Sequence, residues 1–469
     1  MTSWEPRLAD TPGPLYRRVA VALREDIVTG RLQPGARLPT HRELARALKT
    51  TIVTASRAYR EAAAWGFVRG EVGRGTFVAR ATGGREQAGA LPPELAGPGG
   101  PAPADLVELT ANFIETAAGE AGALRLRDGD ARLLWEGLGR RHPPGGAGEH
   151  RAAGAAWLRR GSWAPRAAEV VITGGAQHAI LVALAALARP GDLVYVEALT
   201  YPGIKTAARS LGLRLRPVAI DGHGLIPAAL AEQCDAEPGR LLFCQPSLHN
   251  PTSAVMPEAR RREIAALARQ RDLTLIEDAA YEFLLADPPP PLAALAPERT
   301  CHLVSGAKAL AKGLRIGYLV APEALVPRLQ AEVWATVCAA APSLLDLATR
   351  WIEDGTVQGL VEAKRREAAR RQQLARSILG GLSWVSHPYS SHLWLELPPP
   401  WRVEPFLEQA RRRGVAVNPA AAFAADPAAA PAAVRVCLGP VADRGRLAGA
   451  LSTLAEILAT PAPPEEPVV

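Results

Sequence analysis

The chain has 469 residues, with 54 Lys and Arg against 47 Asp and Glu, and its excess of seven positive charges is confined to one end. The first 80 residues contain 14 basic and 7 acidic side chains, which leaves 40 of each in the remainder. This distribution excludes a uniformly basic nucleic-acid coat and predicts a small basic module joined to a large neutral body. With 48% apolar residues, we expect two or more domains and a sizeable core.

The sequence does not indicate a membrane protein, a disulfide-stabilised protein or a metalloprotein. No stretch approaches the roughly 18 apolar residues of a spanning helix, and residues 1–10 lack the apolar part of a signal peptide, so we expect a cytoplasmic protein without membrane contact. The cysteines are scattered, odd in number and never paired as Cys-x-x-Cys, which predicts buried free thiols and no metal site. They are Cys234, Cys244, Cys301, Cys338 and Cys437.

The basic module begins with two predicted helices. Apolar side chains recur every fourth residue in residues 14–29 and predict a first helix; they are Leu15, Val19, Leu23 and Ile27. Thr40 and Glu43 have the Thr-x-x-Glu spacing of a capping box, so a second helix is predicted to start at Thr40 and to end near Leu48.

A third helix and a hairpin complete the basic module. Thr50 or Thr51 can cap a helix that runs to Trp65, and we expect Val53, Ala58 and Ala62 to face inward. Residues 67–78 then predict two short strands around a Gly-Arg-Gly turn. Three helices and a hairpin predict a winged helix-turn-helix, in which the third helix enters the major groove and the hairpin tip reaches the DNA backbone or the minor groove.

The module resembles the DNA-binding domain of GntR-type bacterial repressors over residues 14–79, through the runs LPTHRELARAL and SRAYREAAAWGFVRGEVGRGTFV. The resemblance implies DNA contacts by Arg42, Thr51, Thr54 and Arg74. Arg57 is a further candidate, with a merely solvated arginine as the alternative. Ile52 stands where these repressors often carry arginine, so either it reads a thymine methyl or base recognition is weaker. A module that mediates only protein contacts is the alternative for the whole motif.

A linker separates the module from the body. Residues 81–104 are mostly Gly, Ala and Pro, which predicts a flexible segment with stiffer proline-rich pieces. The predicted organisation is therefore a DNA-binding domain at 1–79, a linker at 80–106 and a larger domain at 107–469. We expect residues 420–433 to be a surface loop and residues 461–469 to be a frayed tail.

Polar groups recur at one end of successive predicted strands in the body. From Glu169 onward, short apolar strands alternate with helices, the pattern of an α/β sheet, which binds its ligand where its strands end. The predicted strands are residues 169–173, 192–197, 241–246, 273–278 and 301–304. A phosphate cradle, an aromatic ring, an amide, a carboxylate, a phenol, a lysine and an arginine follow them. Pyridoxal 5′-phosphate requires all of these groups.

The order and spacing of these groups resemble the fold type I aminotransferases over about residues 107–458. The resemblance implies an α/β fold with a mostly parallel sheet, helices on both faces and a smaller α+β domain. It implies that Lys308 bonds covalently to the cofactor, with Lys312 as the rival lysine. Asp278 would pair with the ring nitrogen, and Asn250 and Tyr281 would hydrogen-bond the phenolic oxygen. The alternatives are a loop cap for Asp278 and a core position for Tyr281.

The resemblance also implies the remaining contacts. Tyr201 would stack on the cofactor ring, and Arg435 would bind the α-carboxylate of an amino acid, unless it pairs with an internal acid. The phosphate would be held by Gly175, Ala176, Gln177, Ser305 and Arg315. Three departures from the family pattern occur: Ala307 replaces a serine, Ser253 replaces a glycine, and a tyrosine motif is absent near residues 141–151. The resemblance implies that a residue of the partner subunit often touches the phosphate, and the absent motif puts this contact and cofactor affinity in question.

A GntR-like module joined to an aminotransferase-like body resembles the MocR-type transcriptional regulators. The resemblance implies a pyridoxal-phosphate-dependent, DNA-binding regulator that senses an amino acid or amine as an external aldimine, whose formation frees Lys308 and fills the site at Arg435. A homodimer that reads two half-sites of double-stranded DNA is expected. The alternatives are an active aminotransferase with an accessory DNA-binding module, and a DNA-binding protein whose body has lost the cofactor.

Overall fold

The computed structural model describes residues 4, 15–28, 31–32, 35–64, 68–71, 75–78, 106–114 and 129–463. The chain divides into two compact units, Met1–Leu91 and Pro92–Val469, and the division falls within the predicted linker. Most of that linker, the wing tip with Arg74, and residues 464–469 lie outside the described residues. The boundaries of the three predicted segments therefore stay predictions.

The N-terminal unit contains the predicted three helices and hairpin: α1 (Leu15–Val28), α2 (His41–Ala47), α3 (Ile52–Ala64), β1 (Val68–Glu71) and β2 (Gly75–Val78). The two strands pair in antiparallel fashion. The capping box of α2 is confirmed, since the Thr40 N–H donates to Glu43 Oε2 (2.7 Å) and the Glu43 N–H donates to Thr40 Oγ1 (3.2 Å). Local sequence signals are therefore sufficient to define this unit.

The inward face of α3 differs from the prediction at one position. Ala55, Ala58, Tyr59 and Ala62 are buried, at the i, i+3, i+4, i+7 spacing of a single helix face. Val53 precedes this series by two residues and so lies on the opposite face, where it is 71% exposed. The prediction that Val53 faces inward was wrong, because the many alanines of this helix hide the period of its apolar face.

The second unit is built on a seven-stranded sheet. Its strand order is β4-β12-β11-β10-β9-β5-β6, and every neighbouring pair is parallel except the two pairs made by β12. The strands are β4 (Val170–Thr173), β5 (Leu193–Glu197), β6 (Arg214–Val218), β9 (Leu241–Cys244), β10 (Thr274–Asp278), β11 (Thr300–Ser305) and β12 (Gly317–Val320). A short hairpin, β7 (Ile220–Asp221) and β8 (Gly224–Leu225), follows β6.

Helices cover both faces of this sheet. Val170 and Ile172 pack into one apolar cluster and Val171 packs into another, as the alternation of a strand buried on both sides requires. The helices up to the end of β12 are α4 (Asp130–Leu138), α5 (Gly148–Leu158), α6 (Ala176–Leu187), α7 (Pro202–Ser210), α8 (Pro227–Ala236), α9 (Glu258–Gln270), α10 (Leu292–Leu295) and α11 (Gly306–Ala309). The predicted α/β class is confirmed.

A smaller α+β part completes the second unit. Its four-stranded antiparallel sheet has the order β13-β14-β17-β16, formed by β13 (Trp384–Val385), β14 (His392–Glu396), β16 (Asn418–Pro419) and β17 (Ala433–Cys437). A separate parallel pair joins β3 (Val107–Glu108) to β15 (Val415–Ala416). The remaining helices are α12 (Val326–Val337), α13 (Pro342–Glu353), α14 (Thr356–Leu379), α15 (Val403–Arg412) and α16 (Arg444–Ala459). The strand that follows the predicted linker thus pairs with a strand from the C-terminal part of the chain.

Two further expectations need correction. Residues 420–433 are not simply a surface loop, because Ala420, Ala422 and Phe423 are buried in a small cluster with Trp394. Four of the cysteines are buried, but Cys338, just after α12, is exposed. Among the described helices, none combines the length and apolar character that crossing a bilayer requires.

Candidate functional site

Lys308 lies on the short helix α11, directly after strand β11. Its Nζ donates a hydrogen bond to the Asn112 carbonyl (2.5 Å) and lies 5.4 Å from the centre of the Tyr281 ring. A buried lysine, Lys364 on α14, donates from Nζ to the carbonyls of Lys308 (2.7 Å) and Leu310 (3.0 Å). Lys364 therefore fixes the backbone that carries Lys308. Lys312 is exposed, and its Nζ lies over the Phe113 ring at 3.2 Å.

Asp278 ends strand β10 as a buried carboxylate, with 3% of its surface exposed. Its Oδ1 accepts from the Ala280 N–H (3.0 Å), and its Oδ2 accepts from Gln245 Nε2 (2.9 Å). Burial raises the pKa of Asp278 to about 6 despite these two hydrogen bonds and the positive charge of Lys308. A cation beside Asp278 would offset this cost of burial.

Tyr281 and Asn250 lie close to Lys308 and Arg435. The Tyr281 hydroxyl donates to the Asn112 carbonyl (3.3 Å), which also accepts from Lys308. Arg435, fully buried in β17, donates from one guanidinium nitrogen to Asn250 Oδ1 (2.7 Å) and from the other to the Thr110 carbonyl (2.5 Å). The structure thus brings Lys308, Tyr281, Asn250 and Arg435 together around one short segment of backbone.

Tyr201 and Gln177 meet at a glycine. Gln177 Nε2 donates to the Gly203 carbonyl (2.9 Å), and a Cβ added at Gly203 would come within 2.2 Å of Tyr201 Cε1 and 2.0 Å of Gln177 Oε1. Only glycine therefore lets the Tyr201 ring and the Gln177 amide lie side by side. Gln177 Oε1 is buried and accepts no hydrogen bond from the described residues, so it can accept one from a donor group of a ligand.

The predicted phosphate cradle forms at the start of α6. Gly175 is the N-cap residue at φ = 101°, and a Cβ there would lie 3.6 Å from the Arg315 guanidinium. Since no side chain caps this helix, its first N–H groups are open to an anion. Ala176 is the first helical residue, and Ser305 ends β11 as a buried residue. A cavity of about 390 Å³ is lined by Gly174, Gln177 and Arg315, among others.

These groups fit pyridoxal 5′-phosphate. The buried Asp278 carboxylate suits a protonated ring nitrogen, because that charge offsets the desolvation that raises the pKa of Asp278. The uncapped start of α6 beside Arg315 suits a phosphate. Ser253, where the resemblance implies a glycine, adopts φ = 63°, a backbone region that glycine enters most easily, and its Oγ bonds to Ser390 Oγ (2.8 Å).

The candidate DNA-contact residues have different surroundings. Arg42 and Thr51 are exposed, but the Thr51 hydroxyl accepts from the Thr54 N–H (3.2 Å) as the cap of α3 and bonds to the Thr54 hydroxyl (3.0 Å). The Arg57 guanidinium carbon lies 4.2 Å from the centre of the Tyr16 ring. Ile52 is 50% exposed, and with Val53 it gives the start of α3 an apolar surface. Arg74 lies outside the described residues.

Four residues that shape the candidate cofactor site were not predicted from the sequence: Asn112, Gln245, Lys364 and Gly203. The scarcity of lysine was a usable signal for Lys364, since only five lysines occur in the chain. Gln245 could have been noted because it directly follows strand β9, at the same edge as Asp278. Asn112 and Gly203 gave no local signal, since their importance arises from contacts with distant parts of the chain.

One cluster of potential metal ligands lies outside these residues. His142, His150 and Asp346 have ligating atoms within 4.8 Å of one another. His150 Nε2 lies 2.9 Å from Asp346 Oδ1, and an Arg140 guanidinium nitrogen lies 3.5 Å from Asp346 Oδ2. Because the Asp346 carboxylate already pairs with Arg140 and bonds to His150, we interpret the cluster as a polar network that joins α13 to the residues around α5.

The expected absence of a metal gives a simple prediction. Dialysis against EDTA should leave the melting temperature of the protein unchanged, because Asp346 is paired within the chain. Differential scanning fluorimetry with and without added Zn²⁺ measures this. A Tm that falls with EDTA and recovers with Zn²⁺, but not in the Asp346→Asn variant, would show a metal site instead.

Comparisons with known proteins match both units. Residues 15–78 match the family of bacterial regulatory proteins, gntR family, and residues 105–453 match aminotransferase class I and II. The HTH-type transcriptional regulator YdeF of Bacillus subtilis (strain 168) is 31% identical over 440 residues, which cover 92% of each chain. The HTH-type transcriptional regulator TauR of Rhodobacter capsulatus is 29% identical over 457 residues, which cover 88% of this chain and 90% of TauR.

A solved structure supports the fold of the larger unit. LysN, the α-aminoadipate aminotransferase of Thermus thermophilus, was crystallised with N-(5′-phosphopyridoxyl)-L-leucine. It aligns with 76% of this chain and 92% of its own at a TM-score of 0.68 and 24% identity. The chain therefore belongs to the MocR-type transcriptional regulators, in which a gntR-family DNA-binding domain precedes a pyridoxal 5′-phosphate-dependent domain of aminotransferase class I and II.

Proposed function

We propose that this regulator holds its cofactor on Lys308 and changes its binding to DNA when an amino acid or amine enters the same site. One observation carries the proposal: the Lys308 amine and the Arg435 guanidinium both donate to backbone carbonyls of residues 110–112. An amine-reactive position and a carboxylate-binding position therefore lie in one site, beside the buried Asp278. That combination suits a ligand with an amino group and a carboxylate.

Several residues of the chain hold the cofactor, and each has a different role. Bound pyridoxal phosphate supplies an aldehyde for an amine and a ring that acts as an electron sink. Lys308 provides the amine, and Lys364 keeps the backbone of Lys308 in place. Asp278 holds a proton at the ring nitrogen, while Gln245 and the Ala280 N–H keep its carboxylate oriented.

The remaining predicted residues orient the cofactor. Tyr201 stacks on the ring, and Asn250 and Tyr281 hydrogen-bond its phenolic oxygen. The phosphate is bound by the start of α6 and by two further side chains; these residues are Gly175, Ala176, Gln177, Ser305 and Arg315. Gln177 would contribute its backbone N–H to the phosphate, because its Nε2 already donates to the Gly203 carbonyl and its Oε1 can only accept. Arg435 then receives the carboxylate of the effector.

DNA contacts are proposed at Arg42, Thr51, Thr54, Arg57 and Arg74. Arginines bind phosphates, and the exposed Ile52 and Val53 at the start of α3 suit the methyl group of thymine. Thr51 and Thr54 are partly engaged in capping α3, so they contribute less to base recognition than the exposed Ile52 and Val53.

Arg42→Ala is expected to weaken binding to all DNA sequences alike, because a phosphate contact carries no sequence information. The slope of log K against log salt should fall by about 1. Fluorescence anisotropy at several salt concentrations measures both values. Arg412→Ala, which changes an exposed arginine on α15 of the larger unit, serves as the control and should leave the slope unchanged. An unchanged slope in Arg42→Ala would exclude Arg42 from the phosphate contacts.

A homodimer in the cytoplasm, reading two half-sites, is part of the proposal. Trp135 and Leu138 on α4 are 76% and 73% exposed, and Trp334 and Val337 on α12 are also largely exposed. Apolar side chains of this size exposed on neighbouring turns of a helix are typical of a protein interface. A second copy of the chain is the partner that two DNA-reading modules require.

Leu138→Asp is expected to shift the protein from dimer to monomer, because a carboxylate buried in an apolar interface lacks a partner. Sedimentation velocity at micromolar concentration gives the molar mass directly. Val385→Asp is the matched control, since Val385 is an exposed valine on β13 in the smaller part. If both variants keep the mass of the wild type, α4 does not form the dimer interface.

DNA binding tests the proposed function. The loaded protein should bind DNA from upstream of its own gene at moderate salt, and one member of a panel of amino acids and amines should change the affinity several-fold. The apoprotein should lack this response. An absence of specific binding to this DNA at moderate salt would contradict the proposed regulatory function.

An active aminotransferase with an accessory DNA-binding module is the second candidate, because Lys308, Asp278 and Arg435 all keep positions suited to that chemistry. Conversion of an amino acid to its keto acid over many turnovers, without any effect of that amino acid on DNA affinity, would favour this second candidate.

A further inference from the structure

A segment of the chain itself occupies the positions that the proposed function gives to the effector. Residues 106–114, which we call the strap, directly follow the predicted linker. Strand β3 anchors the strap through its pairing with β15, and the Leu109 N–H donates to the Ala416 carbonyl (2.8 Å). The Leu109 carbonyl accepts from the Cys437 N–H (2.9 Å), and the Leu109 side chain is fully buried. The strap is therefore fixed up to Leu109.

Beyond Leu109, two backbone carbonyls of the strap reach the site. The Thr110 carbonyl accepts from Arg435 (2.5 Å) and from Asn418 Nδ2 (3.2 Å). The Asn112 carbonyl accepts from Lys308 Nζ (2.5 Å) and from the Tyr281 hydroxyl (3.3 Å). One carbonyl thus lies where an effector carboxylate would bind, and the other lies where an effector amine would react.

The side chain of Asn112 holds the strap in this position. Its Oδ1 accepts from Ser391 Oγ (2.5 Å), and its Nδ2 lies 3.0 Å from His392 Nδ1. Burial, assisted by Arg435, keeps the pKa of His392 well below its usual range. The His392 ring is therefore neutral, so its Nδ1 can accept from Asn112 while its Nε2 donates to the His249 carbonyl (3.2 Å).

We propose that the strap is a built-in competitor of the effector, and that only a ligand with a free carboxylate displaces it. A carboxylate forms a charge-assisted, bidentate pair with arginine, which is about twice as strong as a bond to a neutral carbonyl. Such a ligand takes Arg435 from Thr110, whereas an amine without a carboxylate leaves that contact intact. The effector class is thereby narrowed from amino acids and amines to amino acids.

Displacement of the strap also provides a route to the DNA-binding domain. The strap is joined to the predicted linker through β3, so its release acts on the segment that leads to residues 1–79 by weakening the pairing of β3 with β15. The apparent affinity for the effector is reduced by the fraction of molecules in which the strap is closed. This inference rests on the proposed function, because it assumes that the effector binds at Lys308 and Arg435.

Hydrogen exchange with mass spectrometry on the full-length, cofactor-loaded protein tests the strap. Each of the twenty common amino acids is first screened for a change in the visible absorption of the cofactor, and an active one is compared with its decarboxylated amine. Exchange in residues 106–114 should increase several-fold with the amino acid and stay unchanged with the amine. Peptides from β10 serve as the internal reference.

Strap variants provide a second readout, the effector Kd from the same absorption titration. Asn112→Ala removes both side-chain anchors and should lower the Kd about tenfold, because the strap then competes less well. Ser391→Ala removes one anchor from the opposite side and should lower the Kd by about threefold, so it replaces Asn112→Ala if that variant does not fold. Glu108→Gln changes an exposed strap residue without a role in anchoring and should behave as the wild type.

The outcomes separate the two proposals. If an amino acid changes the absorption, but exchange in residues 106–114 and the Kd values of both anchor variants stay as in the wild type, the strap proposal is overturned and the proposed function stands. An equal exchange response to the amine would overturn the requirement for a carboxylate. If neither an amino acid nor an amine changes the absorption or the DNA affinity, the proposed function fails, and the strap proposal falls with it.

Discussion

Lys308→Ala is expected to abolish the visible absorption of the bound cofactor, because Lys308 is the amine that faces the site. Its Nζ points to the Asn112 carbonyl and lies near the Tyr281 ring, among the other predicted cofactor contacts. Removal of that amine leaves only the noncovalent contacts, so the cofactor should be lost on gel filtration. Absorption spectra before and after gel filtration measure both effects.

Lys312→Ala is the matched control for this experiment. Lys312 is four residues further along the chain, and its Nζ packs on the Phe113 ring. The variant should keep both the visible absorption and the stoichiometry of the wild type. If the absorption persists in Lys308→Ala and disappears in Lys312→Ala, the assignment of the cofactor lysine is wrong.

Asp278→Asn is expected to act on stability and on cofactor affinity in opposite directions. Burial raises the pKa of Asp278 from 3.8 to about 6, so the folded apoprotein binds this proton more tightly than the unfolded chain. The wild-type apoprotein therefore loses stability as the pH rises from about 4 through about 6. A shift of roughly two pKa units corresponds to about 3 kcal/mol in the free energy of unfolding.

The Asp278→Asn variant has no buried carboxylate to ionise, so it does not lose this stability as the pH rises. The Gln245 amide can rotate so that its Oε1, which has no partner within the part of the chain that the structure describes, accepts from the amide that the substitution introduces. At pH 8 the variant apoprotein should be more stable than the wild type by up to about 3 kcal/mol, and the difference should vanish below about pH 4. Cofactor affinity should nevertheless fall, because the carboxylate no longer holds the ring nitrogen in its protonated form.

Urea denaturation of the apoproteins from pH 4 to pH 8 and cofactor titrations at pH 8 test this pair of effects. Asp287→Asn replaces an exposed aspartate and should leave both quantities within about 0.5 kcal/mol of the wild type. Lower stability of Asp278→Asn at pH 8, or unchanged cofactor affinity, would contradict the role given to Asp278.

Much of the fold could be predicted because local patterns define it. The central strands are mostly apolar and end in polar residues, so their predicted bounds agree with the structure within two residues, as for β5 (Leu193–Glu197) and β10 (Thr274–Asp278). In the N-terminal unit, the capping box at Thr40 gave the start of α2 correctly. The face of α3 was harder to predict, because alanine is compatible with either side of a helix, and Val53 was assigned to the wrong one.

The candidate site was predictable where strand ends define it. Asp278 and Lys308 follow neighbouring parallel strands, so sheet topology alone places them at one edge. The strap could not be predicted in this way, because Asn112 meets Lys308 across 196 residues of sequence and Thr110 meets Arg435 across 325. Such contacts depend on how the smaller part packs against the main sheet, which no local pattern encodes.

The central claim is that binding of the effector and binding of DNA are thermodynamically linked. This linkage can be measured with either ligand. An amino acid that alters the affinity of the loaded protein for its DNA by a given factor must have its own affinity altered by DNA through the same factor. We expect equal factors, of about 5- to 150-fold, from anisotropy titrations of DNA and absorption titrations of the amino acid. A loaded protein in which the amino acid binds at Lys308 with the same Kd, whether or not saturating DNA is present, would contradict the account.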